Sequence, residues 1–205
     1  MEMSFLITAF VTLFVVIDPL GLAPLFVALT QGMKPEQRRA IGLRACGVAI
    51  VVLAVFTLFG EAVLGFVGIS MPAFRVAGGI LLFLTALDML FERRTQRRKG
   101  QADEEEHRDP SVFPLAIPLI AGPGAIASVI LISGQRPGIE GVMAAFGVTI
   151  AVMALVMTLF MASGLMERAL GRTGINVVTR LLGMLLAALS VQFVLDGLRA
   201  FGFAS

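Results

Sequence analysis

Apolar residues run almost unbroken through six stretches of the chain, and two of these stretches contain short segments that no plain helix accommodates. The first, Met3 to Leu29, encloses Ile17-Asp18-Pro19-Leu20-Gly21-Leu22-Ala23-Pro24, and the second, Val112 to Ile132, encloses Ile120-Ala121-Gly122-Pro123-Gly124-Ala125-Ile126. A carboxylate at the centre of a membrane helix costs roughly 2.5–3.5 kcal/mol on insertion scales, and each proline removes a backbone donor. The pattern predicts a first helix from about Ser4 to Thr30 interrupted at Asp18–Ala23, and a fourth from about Val112 to Ser133 interrupted at Gly122–Gly124. Irregular backbone at membrane depth persists only where protein buries it or where it lines a cavity. The two interruptions are therefore expected to wall one site.

The remaining stretches predict helices over about Glu36–Phe59, Pro72–Phe91, Gly141–Leu165 and Asn176–Leu198. Gly32 and Pro35 punctuate the first turn, while Gly60, Glu61, Gly65 and Gly68 read as a connection between the second and third helices. Only Glu92 to Asp109, ERRTQRRKGQADEEEHRD, is long and polar, and it reads as a solvated linker. The chain thus divides into a first three-helix unit (1–91), a charged linker (92–111) and a second three-helix unit (112–205), together one membrane domain.

Composition fixes the solvent. With 58% hydrophobic residues among 205 and a mean hydropathy of +0.94, the chain is an all-α integral membrane protein with six transmembrane helices; short alternating barrel strands are not found. Trp and Tyr are both absent, so Phe and Arg must mark the interfaces. Glu2, with no Lys or Arg ahead of the first run, does not make a cleaved leader, and that run is expected to stay in the mature protein. Cys46 is the single cysteine and His107 the single histidine, so the sequence offers no disulfide, metal cluster or nucleophilic triad. It is expected not to be an enzyme and to need no cofactor.

Of the sixteen Lys and Arg residues, all but Arg75, Arg136 and Arg199 flank the first, third and fifth loops. The positive-inside rule then puts these loops in the cytoplasm and both termini on the outer side. Gly21 matches Gly124, and Arg75-Val76-Ala77-Gly78 matches Arg180-Leu181-Leu182-Gly183, at offsets of 103 and 105 residues. Similar offsets indicate an internal repeat, and three spans per copy force the second copy to be inverted.

An interrupted helix offers chemistry where its second half restarts. The first amides there have no intrahelical acceptor and carry the positive end of the helix dipole. Gly122, Pro123, Gly124 and Ala125, facing Asp18, Pro19, Gly21 and Pro24, are candidates to hold a small anionic or zwitterionic solute. Asp18 fits two roles, N-cap of the restarting helix or a charge for a substrate ammonium or coupling proton. Gln192 is read as a buried amide that bonds another helix or a substrate. Gly183 with Ala187 and Gly42 with Cys46 read as close-packing pairs, and Arg75 and Arg180 as interfacial anchors.

Asp18-Pro19-Leu20-Gly21 with Pro24 and Phe26, Gly32-Met33, Ala121-Gly122-Pro123-Gly124-Ala125-Ile126 and the ending Val191-Gln192-Phe193-Val194-Leu195-Asp196-Gly197 together resemble the MarC family of bacterial inner-membrane proteins. That resemblance implies six helices in two repeats, a place in a superfamily with lysine-type amino-acid exporters, and transport of neutral amino acids. The partners expected are a small neutral amino acid and membrane lipid, with no nucleic acid, and self-association is left open. The alternative is a non-transporting membrane scaffold or regulatory protein.

Overall fold

The computed structural model describes residues 3–93, 109–136 and 138–203. Its elements are α1 (Met3–Ile17), α2 (Pro19–Leu29), α3 (Pro35–Val67), α4 (Met71–Leu90), α5 (Ser111–Ile120) and α6 (Pro123–Ser133). They are followed by a helical run, Ile139–Ala200, that Gly171 interrupts at φ 62°, ψ 176°. We number its two arms α7 (Ile139–Met166) and α8 (Thr173–Ala200). The charged linker lies mostly outside the described residues, since 94–108 are not among them.

Local signals explain most boundaries. Pro35 opens α3, with the Lys34 amide donating to Gln37 Oε1 at 3.0 Å, and Ser70 caps α4 by accepting from the Ala73 amide at 3.3 Å. Gly68, at φ 82°, ends α3 while the Ile69 amide reaches back to Leu64 O at 2.8 Å. The α3 helix outruns the predicted end at Phe59 and carries on through Gly60, Glu61 and Gly65. Glycine does not stop it: in an apolar solvent the backbone keeps its bonds inside the helix, and Gly60 is where Ile130 packs, 2.6 Å from the position of a Cβ.

Two other expectations also change. The first interruption is confined to Asp18, because Pro19 to Ala23 are already helical in α2. Upstream of the second, α5 is a wide coil rather than a plain α-helix, with Leu115 N bonded to Pro110 O and Ala121 N to Ala116 O. Prolines 110, 114 and 118 recur at every fourth position, and the residues before two of them, Phe113 and Ile117, adopt extended dihedrals. The bonds that follow them, Phe113–Pro114 and Ile117–Pro118, are both cis.

At the centre stands α6, buried from Ala127 to Ser133 without interruption and therefore enclosed on all sides. Around it, α4 lies antiparallel to α8 with their backbones nearly touching. A Cβ on Gly79 would sit 2.8 Å from Ser190 O, one on Gly183 3.0 Å from Met89 Cβ, and one on Gly197 2.7 Å from Val76 Cγ2. The α3 and α7 helices pair in the same sense, Gly42 against Met157 and Met161 and Cys46 beside Met153 O. Small residues permit this proximity where dispersion contacts replace a hydrophobic driving force.

Large apolar side chains line the outside as well, among them Val51, Val55, Leu58 and Phe59 on α3 and Leu181, Met184 and Leu185 on α8. Such a girdle is suited to lipid rather than to water. Among the described residues, five helical stretches (α1 with α2, α3, α4, α7 and α8) are long and apolar enough to cross a membrane, and α5 with α6, bent by 55°, makes a sixth if that pair is one span. Glycine packing generates the first prediction. Gly79→Ala should lower stability in detergent by about 1–3 kcal/mol through overpacking. Gly47→Ala, whose Cβ meets nothing within 4 Å, should be neutral or gain up to about 1 kcal/mol of helix propensity, both read from thermal unfolding.

Candidate functional site

Asp18 interrupts the first apolar run by adopting φ 54°, ψ 64°, a left-handed conformation that Asp and Asn tolerate better than other non-glycine residues. The bonds of α1 persist up to its amide, which donates to Phe14 O at 2.9 Å, and α2 starts from its carbonyl, which accepts from Leu22 N at 3.0 Å. Its Oδ1 accepts from the Gly21 amide at 3.1 Å and from Thr179 Oγ1 on α8 at 3.4 Å. The side chain is 1% exposed. Asp18 thus caps α2, with Pro19 at its first helical position, and ties the turn to α8.

The second interruption is built differently. Gly122, extended at φ −85°, ψ 174°, precedes α6 and offers no side-chain cap. A Cβ there would lie 2.4 Å from Pro118 O, so only glycine fits. Pro123 has no amide hydrogen, and the first bond into the helix is Ile126 N to Gly122 O at 3.0 Å, leaving the amides of Gly124 and Ala125 ahead of it at the positive end of α6.

The two interruptions meet. A Cβ on Gly124 would stand 3.1 Å from Val16 Cγ1, two residues before Asp18, and 3.6 Å from Thr85 Oγ1 on α4. The junction is packed, with Asp18, Pro19, Ala125 and Val16 buried, Gly21, Pro24, Gly122 and Gly124 half-buried, and Pro123 exposed. Hydroxyls gather beside it: Ser128 donates to Gly124 O at 2.8 Å and Thr85 to Leu81 O at 3.0 Å. Sequence reasoning missed Thr85, Ser128 and Thr179; the available signal was a hydroxyl at each of these positions in otherwise apolar helices.

Gln192 does not join this group. It is exposed on α8 and donates to Asp196 Oδ1, one turn along, at 2.8 Å, which corrects the reading of a buried amide. The buried face of α8 there passes through Ser190, Phe193 and Gly197, leaving Gln192 rotated outward. Among the described residues no group of His, Cys, Asp and Glu is arranged to hold a metal ion.

Long apolar helices around an enclosed central helix define a multi-pass α-helical membrane protein. The chain belongs to the MarC family, since the model of that family of integral membrane proteins matches residues 3–201. It is 39% identical over 197 residues to a UPF0056 membrane protein of Aquifex aeolicus, covering 94% of this chain and 92% of that one. It is also 37% identical over 203 residues to the UPF0056 membrane protein YvbG of Bacillus subtilis, with 97% and 96% covered. To the UPF0056 inner membrane protein YhgN of Escherichia coli K12 it is 36% identical over 202 residues, with 96% and 98% covered. No solved structure matches the chain.

The geometry separates the roles of Asp18. Asp18→Asn keeps an oxygen for the Gly21 amide and should leave thermal stability within about 0.5 kcal/mol of the parent, as for a neutral cap exchange. Asp18→Ala loses the cap and should cost about 1–2 kcal/mol. Equal losses in both variants would show that the charge, not the cap, stabilises the turn.

Proposed function

We propose that the chain is a secondary transporter of small neutral amino acids or similar metabolites, made of two inverted three-helix repeats whose first helices are broken near mid-membrane. The observation that carries this reading is the contact of the two interruptions, Val16 against Gly124, beside the uncapped amides of α6. Half-helix N-termini of this kind suit the carboxylate of a solute. Family resemblance supplies the amino-acid class, and with it a place beside lysine-type exporters. The sequence has no phosphate-binding glycine loop of the NTPase kind, so an ion or solute gradient supplies the energy.

Packing supports the repeat. Exchanging the halves at an offset of 105 carries the contact between Gly79 and Val194 onto that between Gly183 and Met89 to within one residue. Inversion also agrees with the antiparallel pairing of α3 with α7 and of α4 with α8. The loops rich in Lys and Arg then face the cytoplasm, with both termini periplasmic in a bacterial inner membrane.

A second reading, a non-transporting scaffold, draws on the dense packing of the junction, where Val16 and Leu82 occupy the space beside Gly124. Proteoliposomes separate the two. Labelled alanine, serine or glycine should cross with the pure protein under a proton, sodium or solute gradient, and absence of flux under every gradient sinks the transporter. Gly124→Val paired with Val16→Ala, which returns the space taken by the new methyls, should fold yet lose at least tenfold in flux. Normal flux in that double variant would move the site elsewhere. Reporter fusions in the 92–109 loop should read cytoplasm and those after Phe203 periplasm; the reverse would overturn the orientation.

A further inference from the structure

One end of the bundle, where α1 and α4 begin and α6 and α8 finish, holds a cavity of about 440 Å³ lined by Ser4, Thr8, Arg75, Gln135, Arg136 and Asp196, with Phe5 and Phe193 as apolar walls. Its volume falls within the roughly 300–1,000 Å³ of small-molecule pockets. Arg75 Nε is buried there and has no hydrogen-bond partner among the described residues. A buried guanidinium N–H left unmade is costly and calls for an acceptor. The Arg136 guanidinium lies 5.6 Å over the Phe5 ring, which holds a second cation at the same cavity.

The other end of the same helix pair shows what an occupied arginine looks like. Arg180, which matches Arg75 in the sequence repeat, donates to Glu92 Oε1 at 2.6 Å, and Asn176 bonds the same oxygen. The residue that matches Glu92 at an offset of 105 is Gly197, beside Asp196. Asp196, however, accepts from Gln192 at 2.8 Å and is not bonded to Arg75. One end is closed by the Arg180–Glu92 ion pair, whereas at the other Arg75 and Asp196 line one cavity without bonding each other.

We propose that this cavity is a binding site for an oxyanion that also carries a primary ammonium, with Arg75 and Arg136 taking the oxyanion and Asp196 the ammonium. Planar guanidinium forks recognise a carboxylate or a phosphate equally, so the ligand is either a free amino acid or the headgroup of an ethanolamine phospholipid. The first source rests on the transport reading above; the site itself does not.

The test uses the full chain in nanodiscs of phosphatidylglycerol, which bears no amine, with L-alanine as the probe and acetate as the oxyanion alone. Alanine should bind saturably, and Arg75→Gln should weaken both probes tenfold or more, whereas Asp196→Asn should weaken alanine and spare acetate. If alanine does not bind, native mass spectrometry should find phosphatidylethanolamine retained by the parent and lost in Arg75→Gln, which assigns the site to lipid. Equal retention of both ligands in parent and Arg75→Gln overturns the proposal. Should Arg75→Gln not fold, Arg136→Gln and Asp196→Asn carry the test, and unchanged binding in both is equally fatal. Binding without flux removes the transporter and keeps this site, while flux with an unaltered KM in Arg75→Gln, together with undiminished phosphatidylethanolamine retention in that variant, removes the site and keeps the transporter.

Discussion

Every backbone group inside a membrane must find its partner within the protein, and the carboxylate of Asp18 meets that demand where the first apolar run passes through a left-handed residue. It accepts from Gly21 at the start of α2 and from Thr179 on α8, while its carbonyl and amide keep the bond ladder whole on both sides. A carboxyl group buried at 1% exposure is sustained by such multiple contacts. With that turn fixed, Val16 is held against Gly124, and α6 takes its central place between α1, α3, α4 and α7.

Much of this was legible in the residues. Proline and glycine inside apolar runs pointed to the left-handed residue at Asp18 and to the 55° bend before Pro123, because these residue types change what the backbone can bond. Asp18 before Pro19 carries the signature of a cap, and the small residues at Gly42, Cys46 and Gly183 marked close approaches. The extent of each interruption was not legible: one left-handed residue suffices at Asp18, whereas prolines 114 and 118 reshape the whole of α5.

Rotation of the helices about their axes was equally hidden. An amphipathic helix announces its buried face, but α8 is apolar nearly all round, so nothing in the sequence distinguished the face of Phe193 from that of Gln192. Partners far apart in the chain were hidden for the same reason, Thr179 with Asp18 and Arg180 with Glu92 among them. Arg75 read as an anchor at an interface; that it lines a cavity depends on α1 and α6 arriving beside it.

The backbone proximity of α4 and α8 limits how the molecule can deform. Gly79, Gly183 and Gly197 leave no layer of side chains between the two helices, so neither can slide or roll without driving a carbonyl or a Cβ into its neighbour. The pair therefore behaves as a single rigid strut running the length of the bundle. At α3 and α7 the contact at Gly42 is made by Met157 and Met161, unbranched and able to change rotamer. Those methionines can repack where the glycine contacts of α4 and α8 leave no room to do so.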